Sequence, residues 1–242
     1  MSSCKRLDGR KPDQLRPVTL TPNYIIHPEG SVLISFGDTK VICNASVENS
    51  VPPHCKDTGR GWITAEYSML PRATNTRSRR DISSLKLSGR TAEIQRLIGR
   101  ALRCVTDLSL LPDMSVTVDC DVIQADGGTR TAAITGGYVA LWLAFDKLRR
   151  DGRIAKMPLT AQAAAVSLGV RGGQVLLDLC YEEDSSCDVD FNLVMTSNGG
   201  IIELQGTGEQ RPFDRKQLDT ILKMGEAGIN ELCAVQRKII KL

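Results

Sequence analysis

The chain has 242 residues, 41% hydrophobic and 24% charged, with a net charge of +3. This is an ordinary globular composition, long enough to bury a sizeable core. It excludes nucleic-acid binding through bulk charge, so any such role must come from local clustering. No run is long enough to cross a membrane. Eight cysteines form no C-x-x-C pair and there are two histidines, which argues against a structural zinc site. Cys43, Cys104, Cys120 and Cys180 lie in apolar segments and read as small core residues. The N-terminal stretch "MSSCKRLDGRKPDQLRP" carries no apolar signal. These features point to a reduced, cytoplasmic protein, with residues 1–10 as a flexible extension.

In chain order, residues 31–48 alternate as a hairpin, with Val32, Ile34 and Phe36 before a Gly37-Asp38-Thr39 turn and Val41, Cys43 and Ala45 after it. Residues 62–70, "WITAEYSML", suggest another strand. A polar, basic stretch runs from Pro71 to Gly89. Over 91–107, Ile94, Leu97, Ile98, Ala101, Leu102 and Val105 follow helical spacing, with Ser88 as the cap and Arg90 in the first turn. Residues 115–122 alternate strictly, placing Val116, Val118, Cys120 and Val122 inward and Asp119 and Asp121 outward. From about Thr131 to Arg150 the chain is apolar on nearly every face, which predicts a central helix with Gly136-Gly137 admitting a close neighbour. Two Gly-bearing hairpins follow, and a last helix over roughly 214–238 buries Leu218, Ile221, Leu222, Ile229, Leu232 and Cys233. Helices alternating with hairpins predict one α+β layered domain over 1–242, a mixed sheet packed with helices.

The segment "QADGGTRTAAITGG" (124–137) joins a strand to the central helix. Gly127 and Gly128 permit positive φ and expose consecutive N–H groups, and the helix adds its free N–H donors and the positive end of its dipole. With the hydroxyl of Thr129 and the fork of Arg130, these make a cradle for a small anion. The same residues would also serve a tight turn with a surface arginine. No Walker-type lysine follows the glycines, and "GTGEQR" (206–211) ends in Arg211 where a dinucleotide fingerprint needs glycine. Arg90 opens a helix, where a cation opposes the dipole; a bound anion would resolve that conflict.

Between two predicted strands, "EEDSSCDVD" (182–190) crowds five carboxylates into nine positions. The crowding is relieved by solvent, by raised pKa values or by a cation, and hard oxygen ligands suit Mg²⁺. In "PRATNTRSRRDISSLKLSGR" (71–90), Arg72, Arg77, Arg79, Arg80, Lys86 and Arg90 face one acid, Asp81. The segment is either a solvated loop or an arm for a polyanion backbone; without aromatic residues it would grip phosphates and not stack bases.

With "LRPVTLTPNYIIHPEGSVLISFGDTKVIC", "GWITAEYSMLPRAT", "GRTAEIQRLIGRALR", "DCDVIQADGGTRTAAITGG", "DVDFNLVMT" and "ELQGTGEQRPF", the chain resembles the ribonuclease PH family, phosphate-dependent 3′-to-5′ exoribonucleases, over nearly its whole length. The resemblance implies that Arg90, Gly128, Thr129 and Arg130 bind inorganic phosphate. It implies that Asp184 and Asp190 are catalytic and hold a divalent metal, Mg²⁺, and that the arginine-rich segment (Arg72, Arg77, Arg79, Arg80) meets RNA or a neighbouring subunit. It further implies trimming of the 3′ ends of tRNA precursors by a homohexamer built as a trimer of dimers. Asn192 stands where polynucleotide phosphorylase relatives carry lysine. Two other readings remain open at this point: a non-catalytic subunit of an exosome-like ring, and a metal-dependent hydrolytic nuclease.

Overall fold

The structure is a computed structural model that describes residues 6–80 and 87–240. Cys4, Asp81 and Lys86 therefore lie outside the described residues. The α+β layering is as the pattern predicts, but the strands form two sheets.

The first sheet has the order β1-β2-β3-β5-β4. It comprises β1 (Val18–Pro22), β2 (Gly30–Phe36), β3 (Thr39–Glu48), β4 (Trp62–Met69) and β5 (Ser115–Gln124). All neighbours are antiparallel except β4 and β5, which run parallel because helix α1 (Gly89–Cys104) carries the chain back between them. Alternation sets the faces: Val32, Ile34, Phe36, Val41, Cys43, Ala45, Val116, Val118, Cys120 and Val122 are all buried. Ser88 caps α1, its hydroxyl accepting from the Thr91 N–H. Ile94, Leu97, Ile98, Ala101 and Leu102 form the helix's inward stripe.

The second sheet is antiparallel in the order β7-β6-β8-β9. Its strands are β6 (Ala163–Arg171), β7 (Gln174–Leu177), β8 (Val189–Thr196) and β9 (Ile201–Gly208). Between the sheets lies α2 (Thr129–Arg150), two residues longer at its start than the apolar run indicates. It is apolar all round because it meets protein on both sides. A Cβ on Gly136 would stand 2.7 Å from Ile34 and 3.0 Å from Cys43 of the first sheet. On the other side the Thr135 hydroxyl accepts from the Ala165 N–H of β6 at 3.0 Å. Helix α4 (Arg215–Arg237) covers the second sheet, capped by Asp214 and Gln217 reciprocally. Its buried Gln236 donates to the carbonyls of Thr135 and Ala163, tying α4, α2 and β6 together.

Three expectations need correction. Cys104 is exposed, because it ends α1 off the apolar stripe, and Cys180 is only half-buried, at the start of the four-residue helix α3 (Tyr181–Asp184). Within the expected N-terminal extension, Arg6 is 3% exposed. Its guanidinium donates twice to Glu183, at 2.8 and 2.6 Å, which pins this segment to the second half of the molecule.

Candidate active site

The turn before α2 is built for its backbone. Gly127 and Gly128 have φ of +71° and +64°. A Cβ on Gly127 would lie 2.6 Å from the Leu179 carbonyl, so the position has no room for a side chain. Two residues that no local sequence signal singles out aim the peptide planes. Arg16 donates to the Asp126 carbonyl, and Thr39 donates to the Gly127 carbonyl at 2.6 Å. In a trans peptide the N–H points opposite the C=O. The N–H groups of Gly127 and Gly128 are therefore turned away from Arg16 and Thr39, in company with the free donors of the helix start. Arg16 is itself fixed by Asp178, through bonds of 3.0 and 2.7 Å that raise its pKa against the opposing effect of burial.

Thr129 is buried, and its hydroxyl meets the Tyr67 hydroxyl at 2.8 Å. Burial raises the Tyr67 phenol, so it stays neutral and can serve as donor. Arg130 reaches across toward α1 and β9, its Nη1 donating to Glu93 at 3.2 Å and to Gln205 at 3.0 Å. Arg90 is exposed at the start of α1, and among the described residues it has no hydrogen bond or ion pair.

The acidic run divides by burial and partner. Glu183 is buried against Arg6 and also accepts from the Cys180 N–H, which anchors α3. Asp188 accepts from the Gly172 N–H and pairs with Arg211. Glu182 is exposed. Asp184 and Asp190 alone turn into the cavity described next. The Asp190 carboxyl is pushed up to about 6, first by burial and then by Asp184, with Arg130 opposing. Loss of water also raises Asp184, although that residue is open on one side; Arg90, Arg130 and Arg16 hold it down.

Arg90, Gly127, Gly128, Thr129, Arg130, Asp184 and Asp190 line one cavity of about 340 Å³. The cradle and carboxylate residues expected from the sequence thus converge from three separate segments of the chain. Among the described residues, no three His, Cys, Asp or Glu side chains gather as a metal cage. Two mutually repelling oxygen ligands beside an anion cradle do suit a divalent cation whose remaining positions are filled by substrate and water.

The arginine-rich arm borders the cavity, but Arg72, Arg77, Arg79 and Arg80 do not line it. Ala73 anchors it, its N–H bonded to Leu70 and its carbonyl to Ala125, and Thr74 reaches the cavity wall. Arg72, Arg77, Arg79 and Arg80 are exposed and, among the described residues, have no ion pair.

Two family models, domains 1 and 2 of the 3′ exoribonuclease family, match residues 14–145 and 161–228. The chain is 57% identical over 235 residues to ribonuclease PH of Bacillus pumilus, covering 97% of each chain. It is also 57% identical to ribonuclease PH of Bacillus subtilis, covering 97% of this chain and 96% of that one. Among solved structures, the Archaeoglobus fulgidus exosome with RNA bound to the active site superposes with a TM-score of 0.81 at 24% identity, over 96% of this chain and 92% of that one. Rice (Oryza sativa) Rrp46 superposes with a TM-score of 0.77 at 22% identity, over 96% and 98%.

Proposed function

The chain belongs to the 3′ exoribonuclease family, and from that membership and its cavity we propose that it is a phosphate-dependent 3′-to-5′ exoribonuclease that trims tRNA precursors. The observation that carries this reading is the meeting of an anion cradle, two arginines and two carboxylates in one cavity.

The chemical difficulty is bringing two anions together. Two unit charges 4 Å apart repel by about 1 kcal/mol in water and about 4 kcal/mol near protein. The amides at 127–129, the Thr129 hydroxyl, Arg130 and Arg90 hold orthophosphate in line with the last phosphodiester. A phosphate oxygen bonds to that phosphorus while the bond to the preceding 3′ oxygen breaks. The products are a nucleoside diphosphate and an RNA one nucleotide shorter, its 3′ oxygen taking a proton. Asp190, with its raised carboxyl, is the donor we assign to that oxygen. Asp184, and Asp190 through the oxygen that does not carry the proton, would hold Mg²⁺, which when bound supplies positive charge beside the crowded phosphate oxygens. The work of the chain's own groups is positioning and charge stabilisation.

The exposed arginines Arg72, Arg77, Arg79 and Arg80 are suited to the RNA backbone. Family membership further supports a ring-shaped homohexamer of three dimers. The shared core spanning both sheets supports a single domain. No described helix is long and apolar enough to cross a membrane, and we place the enzyme in the cytoplasm.

The test is incubation with a tRNA precursor carrying a 3′ trailer, with and without orthophosphate, and identification of the released nucleotide. Nucleoside diphosphate, formed only with phosphate, is expected. Monophosphate would indicate a hydrolytic nuclease, and RNA binding without degradation would indicate a non-catalytic ring subunit.

A further inference from the structure

Among the described residues, Arg130 is held by one nitrogen only. Its Nη1 donates to Glu93 Oε1 and Gln205 Oε1, which uses both N–H bonds of that nitrogen. Nε and Nη2 have no bond among the described residues. They form the edge of the guanidinium that presents two parallel donors to an oxyanion. The side chain of Arg130 is 15% exposed, so its freedom to rotate is already small.

Glu93 and Gln205 also hold each other. Gln205 Nε2 donates to Glu93 at 3.2 Å and to Glu203 at 3.0 Å. Glu203 in turn is paired with Arg100 at 2.9 Å. This polar chain links α1, α2 and β9, three elements that the sequence separates widely. It also decides how the Gln205 amide faces, because only its oxygen can accept from Arg130.

We infer that Glu93, steadied by Gln205, is a positioning residue that clamps Nη1 of Arg130 and leaves the Nε–Nη2 edge free for phosphate. This deepens the proposed function and rests on phosphate being the ligand of Arg130. Glu93 is half-exposed and carries a negative charge near an anion site. Its geometry therefore helps phosphate while its charge opposes it. A glutamine at 93 keeps the accepting oxygen and removes the like charge. An alanine removes both, and leaves Gln205 as the remaining hold on Nη1 among the described residues.

The two substitutions should consequently separate. In steady-state trimming, Glu93→Ala raises KM for phosphate about tenfold, the scale of one charge-assisted hydrogen bond. Its kcat at saturating phosphate, KM for RNA and melting temperature stay near those of the unaltered chain. Glu93→Gln gives a phosphate KM equal to or below the unaltered value. Gln205→Ala moves KM in the same direction as Glu93→Ala, by less. An unchanged phosphate KM in Glu93→Ala overturns the inference. So does a parallel rise in KM for RNA with a lowered melting temperature, since that marks a structural residue.

Calorimetric titration of phosphate into the full chain without RNA separates this inference from the reading beneath it. If phosphate binds but no diphosphate is released, the proposed function fails, and the ratio of the Glu93→Ala and Glu93→Gln affinities still decides the clamp. Absence of phosphate binding by the unaltered chain overturns both.

Discussion

The turn at 126–129 and the arm at 71–80 are the two places proposed to meet an anion, yet they are built in opposite ways. In the turn, carbonyls are held by Arg16 and Thr39, the hydroxyl of Thr129 by Tyr67, and Arg130 by Glu93 and Gln205. The arm is anchored through Ala73, and its arginines stand in solvent. A small ion of fixed shape needs donors ordered in advance, so that binding it costs little further entropy. A long, repeating polyanion gains from mobile charges that displace counterions anywhere along its length.

The comparison can be broken first at the carboxylates. Asp190→Asn should bind phosphate and RNA yet release essentially no diphosphate; retained turnover in a product assay would remove Asp190 from the chemistry. The same substitution carries a stability signature with a definite sign. The folded carboxyl titrates at about 6 against an ordinary value of 3.8. The folded chain therefore holds this proton more tightly than the unfolded chain does. The resulting stability is fully present below pH 3.8 and is lost as pH rises through about 6. At pH 7 without metal, Asp190→Asn should therefore be more stable than the unaltered chain, by on the order of 1–3 kcal/mol in urea unfolding. Equal stability at pH 7 would show that Asp190 is well solvated.

Next in size is Arg130→Ala. Phosphate-dependent turnover should fall about 10²- to 10³-fold, the usual loss for one preorganised donor to a reacting anion. RNA affinity, read by filter binding, should stay within a factor of two or so of the unaltered chain. A matching loss of RNA affinity would erase the division of labour between turn and arm. The arm is tested by changing Arg77, Arg79 and Arg80 together to glutamate. RNA binding should weaken, and the slope of log affinity against log salt should become shallower by about two, at roughly 0.7 for each phosphate of a single strand that an arginine no longer neutralises. An unaltered slope would make the arm a bystander. The smallest effect belongs to Tyr67→Phe, which removes a single neutral hydrogen bond to Thr129. About a threefold to tenfold rise in phosphate KM is expected from a bond worth roughly 1 kcal/mol. No change would mean that the Thr129 hydroxyl is oriented by its backbone alone.

The elements themselves were plain in the chain wherever one periodicity met one environment. Strict alternation in 115–122 and the stripe on 94–105 each bury one face, and the structure buries those faces. The all-round apolar run after 131 required protein on both sides, and α2 has a sheet against each. The parallel pairing of β4 with β5 could not be read, because hairpin-like spacing does not reveal that α1 intervenes as a crossover. Gly127 to Arg130 announced themselves because glycines at a strand-to-helix junction are costly unless positive φ is needed, and here both glycines have it. Among five carboxylates within nine positions, nothing local marked Glu183 as the buried partner of an arginine 177 residues away.

What the linear order of residues determined, then, was local: which faces are apolar, where backbone donors go unpaired, and which short segments carry charge. Those follow from side-chain size, backbone torsion and solvation over a few neighbouring residues. Only the fold decided that Arg6 would lock α3, that Arg16 and Thr39 would turn the 127 and 128 amides outward, and that Glu93 and Gln205 would share one nitrogen of Arg130. Each of these joins groups far apart along the chain, and a hydrogen bond has direction and a reach of about 3 Å. Such a bond exists only once packing has brought its two ends to that distance.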